Sequence, residues 1–202
     1  MFTKRNLRMK NLFTTLGVAF FISANGYAVT HKISTGDSVV NWSGAKVVGG
    51  AHNGTIGVKS GELNWEKGKL TSGIITIDMK DMVNLDISSE KYQKKLVGHL
   101  QSKDFFEVET YPTATFKTTK VQHVKDDSYM LWGKMTIKKS TKDIKFLAQL
   151  SQKGDNVAGQ GEIVFDRTDF NVRYGSGKFF DNLGDKMIAD EIKLNFKVVA
   201  KK

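Results

Sequence analysis

The chain contains no cysteine and a single proline among its 202 residues. Without cysteine there can be no disulfide framework, no thiolate nucleophile, no cysteine-based metal site and no lipid attached to an N-terminal cysteine. The four histidines are far apart in sequence and form neither an H-x-x-x-H nor an H-E-x-x-H arrangement, so we expect no metal site. Hydrophobic residues make up 40% of the chain, which indicates an ordinary globular protein rather than a disordered or collagen-like one.

The first 28 residues differ in composition from the rest of the chain. A basic leader is followed by an uncharged, mostly apolar run over residues 12–23 and then by small residues that end at Ala28. These three parts are typical of a secretory signal peptide, and the apolar run is shorter than the ~20 residues needed to cross a bilayer. We therefore predict cleavage after Ala28 and export to the periplasm or the medium. The alternative is an N-terminal core helix.

The formal charge of +10 first suggests a nucleic-acid partner. The leader carries four of the basic residues, and residues 29–202 keep 27 basic and 21 acidic side chains, a net charge of +6. Export would separate the protein from chromosomal DNA and cytosolic RNA, so we expect no nucleic-acid partner. The lysine-rich strand faces are either plain solvated surface or the basis of a transient contact with an anionic membrane.

The dominant pattern of residues 29–202 is an alternation of apolar and polar residues, which predicts half-buried strands. Near the C-terminus, for example, Ile192, Leu194, Phe196 and Val198 fall on one face and charged or polar residues fall on the other. The predicted strands cover residues 38–48, 54–60, 61–65, 70–79, 112–124, 128–139, 142–151, 156–166 and 190–199. Eight or nine strands at short spacing predict one antiparallel barrel or sandwich domain over residues 29–202.

Residues 88–102 break this alternation and predict a short amphipathic helix. Serines and Glu90 suit its N-terminus, and Tyr92, Leu96, His99 and Leu100 follow at helical spacing. Gly98 weakens the helix by up to ~1 kcal/mol relative to alanine. We therefore expect the helix to depend on docking against the barrel.

Catalytic signatures are few. The segment around Ser176 is not a G-x-S-x-G nucleophile elbow, and no glycine-rich phosphate loop is present. Five aspartates between positions 166 and 190 could supply an acid–base pair, but carboxylates at loop ends are more typical of turns and ion pairs. We predict a protein that is not an enzyme. The alternatives are a small envelope enzyme that uses His99 or one of these aspartates, and an interaction module whose barrel is packed solid.

Several segments together resemble one known family. They are Gly54-Thr55-Ile56, residues 99–107 (HLQSKDFFE) followed by Tyr111-Pro112-Thr113, residues 133–137 (GKMTI), residues 166–170 (DRTDF) and Gly184-Asp185. Their order and spacing resemble the YceI family of exported, lipocalin-like, polyisoprenoid-binding proteins. The resemblance implies a mainly β, single antiparallel eight-stranded barrel with a short helix. It also implies an apolar lumen that holds a long-chain isoprenoid of the quinone or prenyl-phosphate type, or a similar lipid, and no catalytic residues.

Fifteen residues on the apolar faces and at the barrel ends are therefore candidates for the lumen: Ile56, Ile75, Ile77, His99, Leu100, Phe105, Phe106, Ala114, Phe116, Leu131, Met135, Phe146, Ala148, Phe165 and Phe170. Arg167 and Asp169 are candidates for a lipid head group, although we expect them first to hold one another or a neighbouring loop. A bound lipid is the only ligand that we expect, with no separate cofactor, and the protein is a monomer or a homodimer. An eight-stranded barrel has room either for packed side chains or for one slender ligand.

Overall fold

The computed structural model describes residues 28–202. The predicted signal peptide, apart from its last residue, lies outside the described residues. Nine strands and one α-helix follow in chain order: β1 (Val29–Ile33), β2 (Val39–Ala45), β3 (Ala51–Glu66), β4 (Lys69–Asn84), α1 (Glu90–Gln101), β5 (Thr113–Lys125), β6 (Ser128–Ile137), β7 (Ser140–Lys153), β8 (Asn156–Asp166) and β9 (Glu191–Lys201).

Strands β2 to β9 form a closed antiparallel barrel. Each strand from β4 to β8 pairs with the next one, β9 pairs with β2, β2 with β3, and β3 with β4, which closes the ring. Strand β1 is additional and pairs with the end of β3 and, at Ile33, with Ala200 of β9. The predicted eight-stranded barrel with a short helix is therefore confirmed, and β1 is a strand that the sequence pattern did not predict.

Strand β3 corrects one sequence prediction. Residues 54–60 and 61–65 were predicted as two strands, but they belong to a single strand of 16 residues. Its pairing with β4 shifts between Val58 and Ser60, so one extra residue enters the strand there. Because such a bulge moves the alternation by one position, buried residues occupy even positions before it and odd positions after it. A single strand therefore appears as two in the pattern.

The two ends of the barrel differ. At one end lie α1, the turn after β2, the turn between β6 and β7, and the long connection between β8 and β9; we call this the helix end. At the other end, β1 and three short hairpin turns close the barrel. His31 of β1 is fully buried there, with its ring 6.5 Å from that of Trp65, which in turn lies 6.0 Å from Tyr129. These aromatic rings fill the closed end.

Helix α1 lies within the predicted residues and has no fully buried side chain. Val97 and Leu100 pack against the barrel core, and the Gln101 side chain donates a hydrogen bond to the Lys80 carbonyl at 3.1 Å. Within residues 28–202, no helix is long and apolar enough to cross a membrane.

The wall of the barrel is incomplete between β7 and β8. These strands pair only from Ala148 to Lys153 and from Asn156 to Gly161, although both continue toward the helix end. Along this gap, the Phe146, Ile163 and Phe165 side chains are buried and line the lumen. At the helix end of this gap, Lys142 of β7 forms a 3.7 Å ion pair with Asp169, which follows β8.

Candidate functional site

A cavity of about 340 Å³ occupies the lumen of the barrel. Its lining is almost entirely apolar and comes from every strand of the closed ring and from α1. On β9 alone it extends from Ile192 to Val198. Those residues are six positions apart, which corresponds to about 20 Å along an extended strand. The cavity is therefore elongated.

The structure brings together 14 of the 15 predicted lumen residues around this cavity. The exception is Phe170, which is buried and does not line the cavity. Its ring stands perpendicular to that of Phe165 at 5.4 Å, so it supports the wall from behind. Ala114 and Ala148 both face the lumen, and small side chains at these positions leave space there.

Further lining residues were absent from the predicted set. Val40, Trp42, Leu63, Leu70, Met79 and Met82 line the cavity, as do Ile192, Leu194, Phe196 and Val198 of β9. The four β9 residues share one face in the alternation of the sequence, so the pattern is consistent with their position in the lining. The pairing of β3 with β4 is irregular near Met82. Ile56 of β3 is opposite Met82, but the next residue of β3, Gly57, is opposite Asp78. Simple alternation along β4 therefore does not identify Met82 as a lining residue.

An aromatic cluster borders the cavity at the helix end. The His99 ring lies 5.0 Å from Phe105 and 4.7 Å from Tyr174, in both cases edge to face, and Phe105 lies 5.3 Å from Tyr174. Nε2 of His99 is 3.5 Å from the Asp104 carboxylate. The structure thus places His99 among aromatic rings, with one carboxylate nearby.

Arg167 lines the cavity, but its polar atoms are fully engaged by protein. The side chain is 1% exposed. It donates hydrogen bonds to four carbonyl oxygens, those of Val172, Tyr174, Ile188 and Ala189, at 2.9–3.1 Å, and it donates to the Asp190 carboxylate at 3.2 Å. These five bonds use all five N–H groups of a guanidinium. Burial lowers the pKa of Arg167, and Asp190 and Asp166 act in the opposite direction.

One of the two roles expected for Arg167, pairing with Asp169, is wrong, whereas the other, holding a neighbouring loop, agrees with its hydrogen bonds. Asp169 is at the surface, outside the cavity lining, and its partner is Lys142. Arg167 holds the connection between β8 and β9 instead, because its bonds reach from Val172 to Asp190. Neither side chain offers a free polar group to the lumen.

None of the five aspartates proposed as acid–base candidates lines the lumen. Asp166 accepts hydrogen bonds from the backbone N–H and the hydroxyl of Thr168 at 2.8 and 2.6 Å and from Lys178. Burial raises the pKa of Asp166, but these bonds outweigh it and the pKa is lowered. No carboxylate lines the cavity in the described part of the chain, and residues 28–202 contain no group of three or more side chains that could hold a metal ion.

Lys46 and His52 are lining residues at the helix end that sequence reasoning missed. Nδ1 of His52 lies 2.7 Å from the Asp86 carboxylate, which also accepts hydrogen bonds from the Asn53 backbone N–H at 2.8 Å and the Asn84 side chain at 2.6 Å. Partial burial would raise the pKa of Asp86, but these bonds lower it to about 2. With His99, these two side chains supply polar groups to the cavity lining at the helix end.

Comparison with known proteins identifies the family. The model of the YceI-like domain matches residues 31–200. The chain belongs to the YceI-like domain family. A UPF0312 protein of Pseudomonas putida strain F1 is 25% identical over 155 residues, which cover 76% of this chain and 78% of the relative. A UPF0312 protein of Pectobacterium atrosepticum is 36% identical over 101 residues, which cover 46% and 52% of the two chains.

Solved structures share the fold of this YceI-like domain. Burkholderia cenocepacia BcnA superposes with a TM-score of 0.66 at 24% identity and covers 84% of this chain and 99% of its own. A polyisoprenoid-binding domain from Saccharophagus degradans gives a TM-score of 0.62 at 12% identity, with 87% and 99% covered. The YceI protein of Campylobacter jejuni gives 0.52 at 21% identity, with 66% and 74% covered.

The most specific YceI-like segment, residues 99–107, covers the last residues of α1 and the tight turn that follows. The Ser102 hydroxyl donates to the His99 carbonyl at 2.8 Å, and the Val108 N–H donates to the Gln101 carbonyl at 2.9 Å. Lys138 donates to the Phe105 carbonyl at 3.2 Å. These bonds place Phe105 and Phe106 against the cavity, which explains why this segment combines polar and aromatic residues.

Proposed function

We propose that this protein binds a long-chain isoprenoid of the quinone or prenyl-phosphate type, or a similar lipid, in the barrel lumen and carries or stores it in the cell envelope. The elongated apolar cavity of about 340 Å³ is the observation that carries the proposal. At ~25 cal/mol per Å² of apolar area, a chain that buries several hundred Å² gains on the order of 10 kcal/mol before ordering costs. The Saccharophagus degradans neighbour, described as a polyisoprenoid-binding domain, supports the same ligand class.

The distribution of polar groups orients the ligand. The closed end is filled by aromatic rings, and Lys46, His52 and His99 lie at the helix end. A lipid would therefore insert its apolar tail toward the closed end and keep its polar head near these three side chains. Lys46 and His52 replace Arg167 and Asp169 as the head-group residues of the proposal, because all five Arg167 N–H groups already have partners.

We propose a binding role rather than catalysis, because none of the aspartates considered as acid–base residues lines the lumen. Replacing Asp166 or Asp169 by alanine should leave lipid retention largely intact, because neither residue lines the lumen. Loss of a turnover reaction in these variants would favour the alternative of an envelope enzyme.

The setting of this function is also a proposal. The predicted signal peptide supports export to the periplasm or the medium. A transient contact with a membrane surface would allow lipid exchange, and no nucleic-acid partner is proposed. Either a monomer or a homodimer could perform the role, since the lumen is built within one chain.

Native mass spectrometry tests the proposal. The full chain is expressed in a bacterial host, purified from the envelope fraction without detergent, and the dissociated mass is identified after solvent extraction. We expect a discrete added mass that corresponds to a prenyl lipid, a quinone or a fatty-acid derivative, on a polypeptide that begins at residue 29. A protein that stays ligand-free after incubation with such lipids would favour the packed interaction module, and an uncleaved N-terminus would contradict export.

A further inference from the structure

Large exposed apolar side chains gather at the helix end. Two loops carry five of them: Val47 and Val48 after β2, and Tyr174, Phe179 and Phe180 in the connection between β8 and β9. Both valines are 58% exposed, and the two phenylalanines are 44% and 48% exposed. We call these five residues the apolar rim. Exposed apolar residues that stand singly are ordinary on protein surfaces, whereas a cluster of them marks an interaction site.

Contacts between the two loops show that the rim is one surface. The Val47 N–H donates to the Met187 carbonyl at 2.9 Å, and the Ile188 N–H donates to the Gly175 carbonyl at 2.8 Å. The N–H groups of Phe179 and Phe180 both donate to the Ser176 carbonyl at 3.1 Å. Residues 187–188 therefore lie between the valines and the aromatic residues and connect them.

The rim adjoins the cavity lining at the helix end. Lys46, which directly precedes Val47, lines the cavity, as does Ile188. Tyr174 lies 4.7 Å from His99, another lining residue. A molecule that leaves the lumen at the helix end thus meets the apolar rim.

Basic side chains accompany the rim. Residues 46–50 and 173–188 contain Lys46, Arg173 and Lys186 against Asp181 and Asp185, while a further lysine, Lys178, is paired with Asp166 and Asp190. The Arg173 guanidinium lies over the Phe179 ring at 4.5 Å, and no carboxylate of residues 28–202 is within ion-pair distance of Lys46. Apolar tips flanked by lysine and arginine suit an anionic bilayer, where the tips enter the interface and the cations meet the head groups.

We propose that the apolar rim docks the helix end on a bilayer that contains anionic lipid, so that a ligand passes between membrane and lumen without crossing water. The docking surface is therefore the rim, not the lysine-rich barrel wall. The proposal rests on the proposed function, because it assigns the rim a role in loading the lumen.

Vesicle flotation tests this surface. The full chain is mixed with vesicles of phosphatidylglycerol and phosphatidylethanolamine, and separately with vesicles of phosphatidylcholine. The rim variant carries V47S, V48S, F179S and F180S, and its fold is checked by its circular dichroism and melting temperature. The matched control carries L147S and V164S, which are also exposed apolar residues but lie on the barrel wall.

We expect the wild type to float with the anionic vesicles, the rim variant to bind at least tenfold less, and the control to bind like the wild type. A second variant, K46Q with R173Q and K186Q, should lose binding, whereas K134Q with K145Q on the barrel wall should not. Unchanged binding by a folded rim variant, or loss of binding by the wall-lysine variant alone, would overturn the proposal. Ligand retention is scored separately by native mass spectrometry, so vesicle binding by a permanently empty protein would contradict the carrier function while leaving the docking surface in place.

Discussion

Arg167 Nη2 and Asp190 Oδ1 form a 3.2 Å ion pair beside the lumen, where the arginine is almost completely buried. The pair joins the end of β8 to the residue before β9. Together with four carbonyl acceptors, it organises the connection that carries part of the apolar rim. The function of Arg167 is therefore to shape the helix end of the barrel rather than to hold a ligand.

Replacement of Arg167 by lysine should destabilise the protein by about 2–4 kcal/mol, because an ammonium group cannot reproduce five directed bonds in a buried site. Urea unfolding measures the change. Asp169→Asn is the control, since its exposed ion pair should contribute less than about 1 kcal/mol. If Arg167→Lys kept wild-type stability but lost the ligand, the head-group role predicted from the sequence would be correct.

The low pKa of Asp86 predicts an acid-dependent loss of stability. Its folded-state pKa of about 2 lies below the ordinary value of 3.8, so the ionised form stabilises the fold. This contribution is complete above about pH 4 and is lost as the pH falls toward about 2. Since the group is partly solvated, we expect about 1 kcal/mol in total.

Thermal or urea unfolding between pH 5 and pH 2 would measure this contribution. The Asp86→Asn variant should be less stable at pH 5 and should show a smaller decline in stability on acidification. Exposed Asp155→Asn serves as the control for general charge effects. A decline as steep in Asp86→Asn as in the wild type would show that other carboxylates cause it.

The barrel and most of its lining could be predicted because alternation is a local signal. A side chain's position along a strand determines which face it occupies, so Phe116, Met135 and Phe146 were identified without knowledge of strand partners. The short helix was likewise evident from its different period. The family-like segments then selected a closed barrel from the all-β alternatives.

Long-range partners could not be predicted in this way. Arg167 and Asp190 are 23 positions apart, and the sequence offered Asp169 as a nearer partner. Lys46 lies in the turn after β2, where no periodic pattern indicates orientation. His52 shares the inward face of β3 with Gly54 and Ile56, but it precedes the residues that were predicted as a strand. Strand β1 has five residues, too few for a clear alternation.

The gap between β7 and β8 predicts locally weak protection from hydrogen exchange. Leu150 N–H points toward β6, because it donates to the Asp127 carbonyl at 2.8 Å. Alternation therefore directs the N–H groups of Lys145 and Leu147 toward β8, where pairing has already stopped. Amide exchange followed by NMR should give these two residues at least tenfold less protection than Gln149 and Ser151, which occupy the same edge within the paired region. Equal protection would show that the strands pair along their full length in solution.

The buried ring of His31 predicts a stabilising substitution. It is fully buried, and neither of its nitrogens has a hydrogen-bond partner within residues 28–202. Because unpaired buried polar atoms are costly, His31→Phe should raise the free energy of unfolding by about 1 kcal/mol at neutral pH. Phenylalanine can keep the edge contact with Trp65. A loss of stability measured by urea unfolding would indicate that a bound water or a ligand pairs with the imidazole.

Filling the lumen should abolish ligand retention without disturbing the outside of the barrel. Ala148 is 1% exposed and faces the cavity, whereas Ala158 on β8 is exposed. Ala148→Phe places a ring in the space that a lipid tail would occupy, and Ala158→Phe makes the same substitution on the outer face. Native mass spectrometry of the envelope-purified proteins should show a large fall in the lipid-bound fraction for the first variant and none for the second. Overpacking could also lower the free energy of unfolding by ~1–3 kcal/mol. The melting temperature of Ala148→Phe, compared with that of the smaller replacement Ala148→Leu, therefore distinguishes a filled cavity from a damaged fold. Full retention by a folded Ala148→Phe protein would place the ligand outside the lumen.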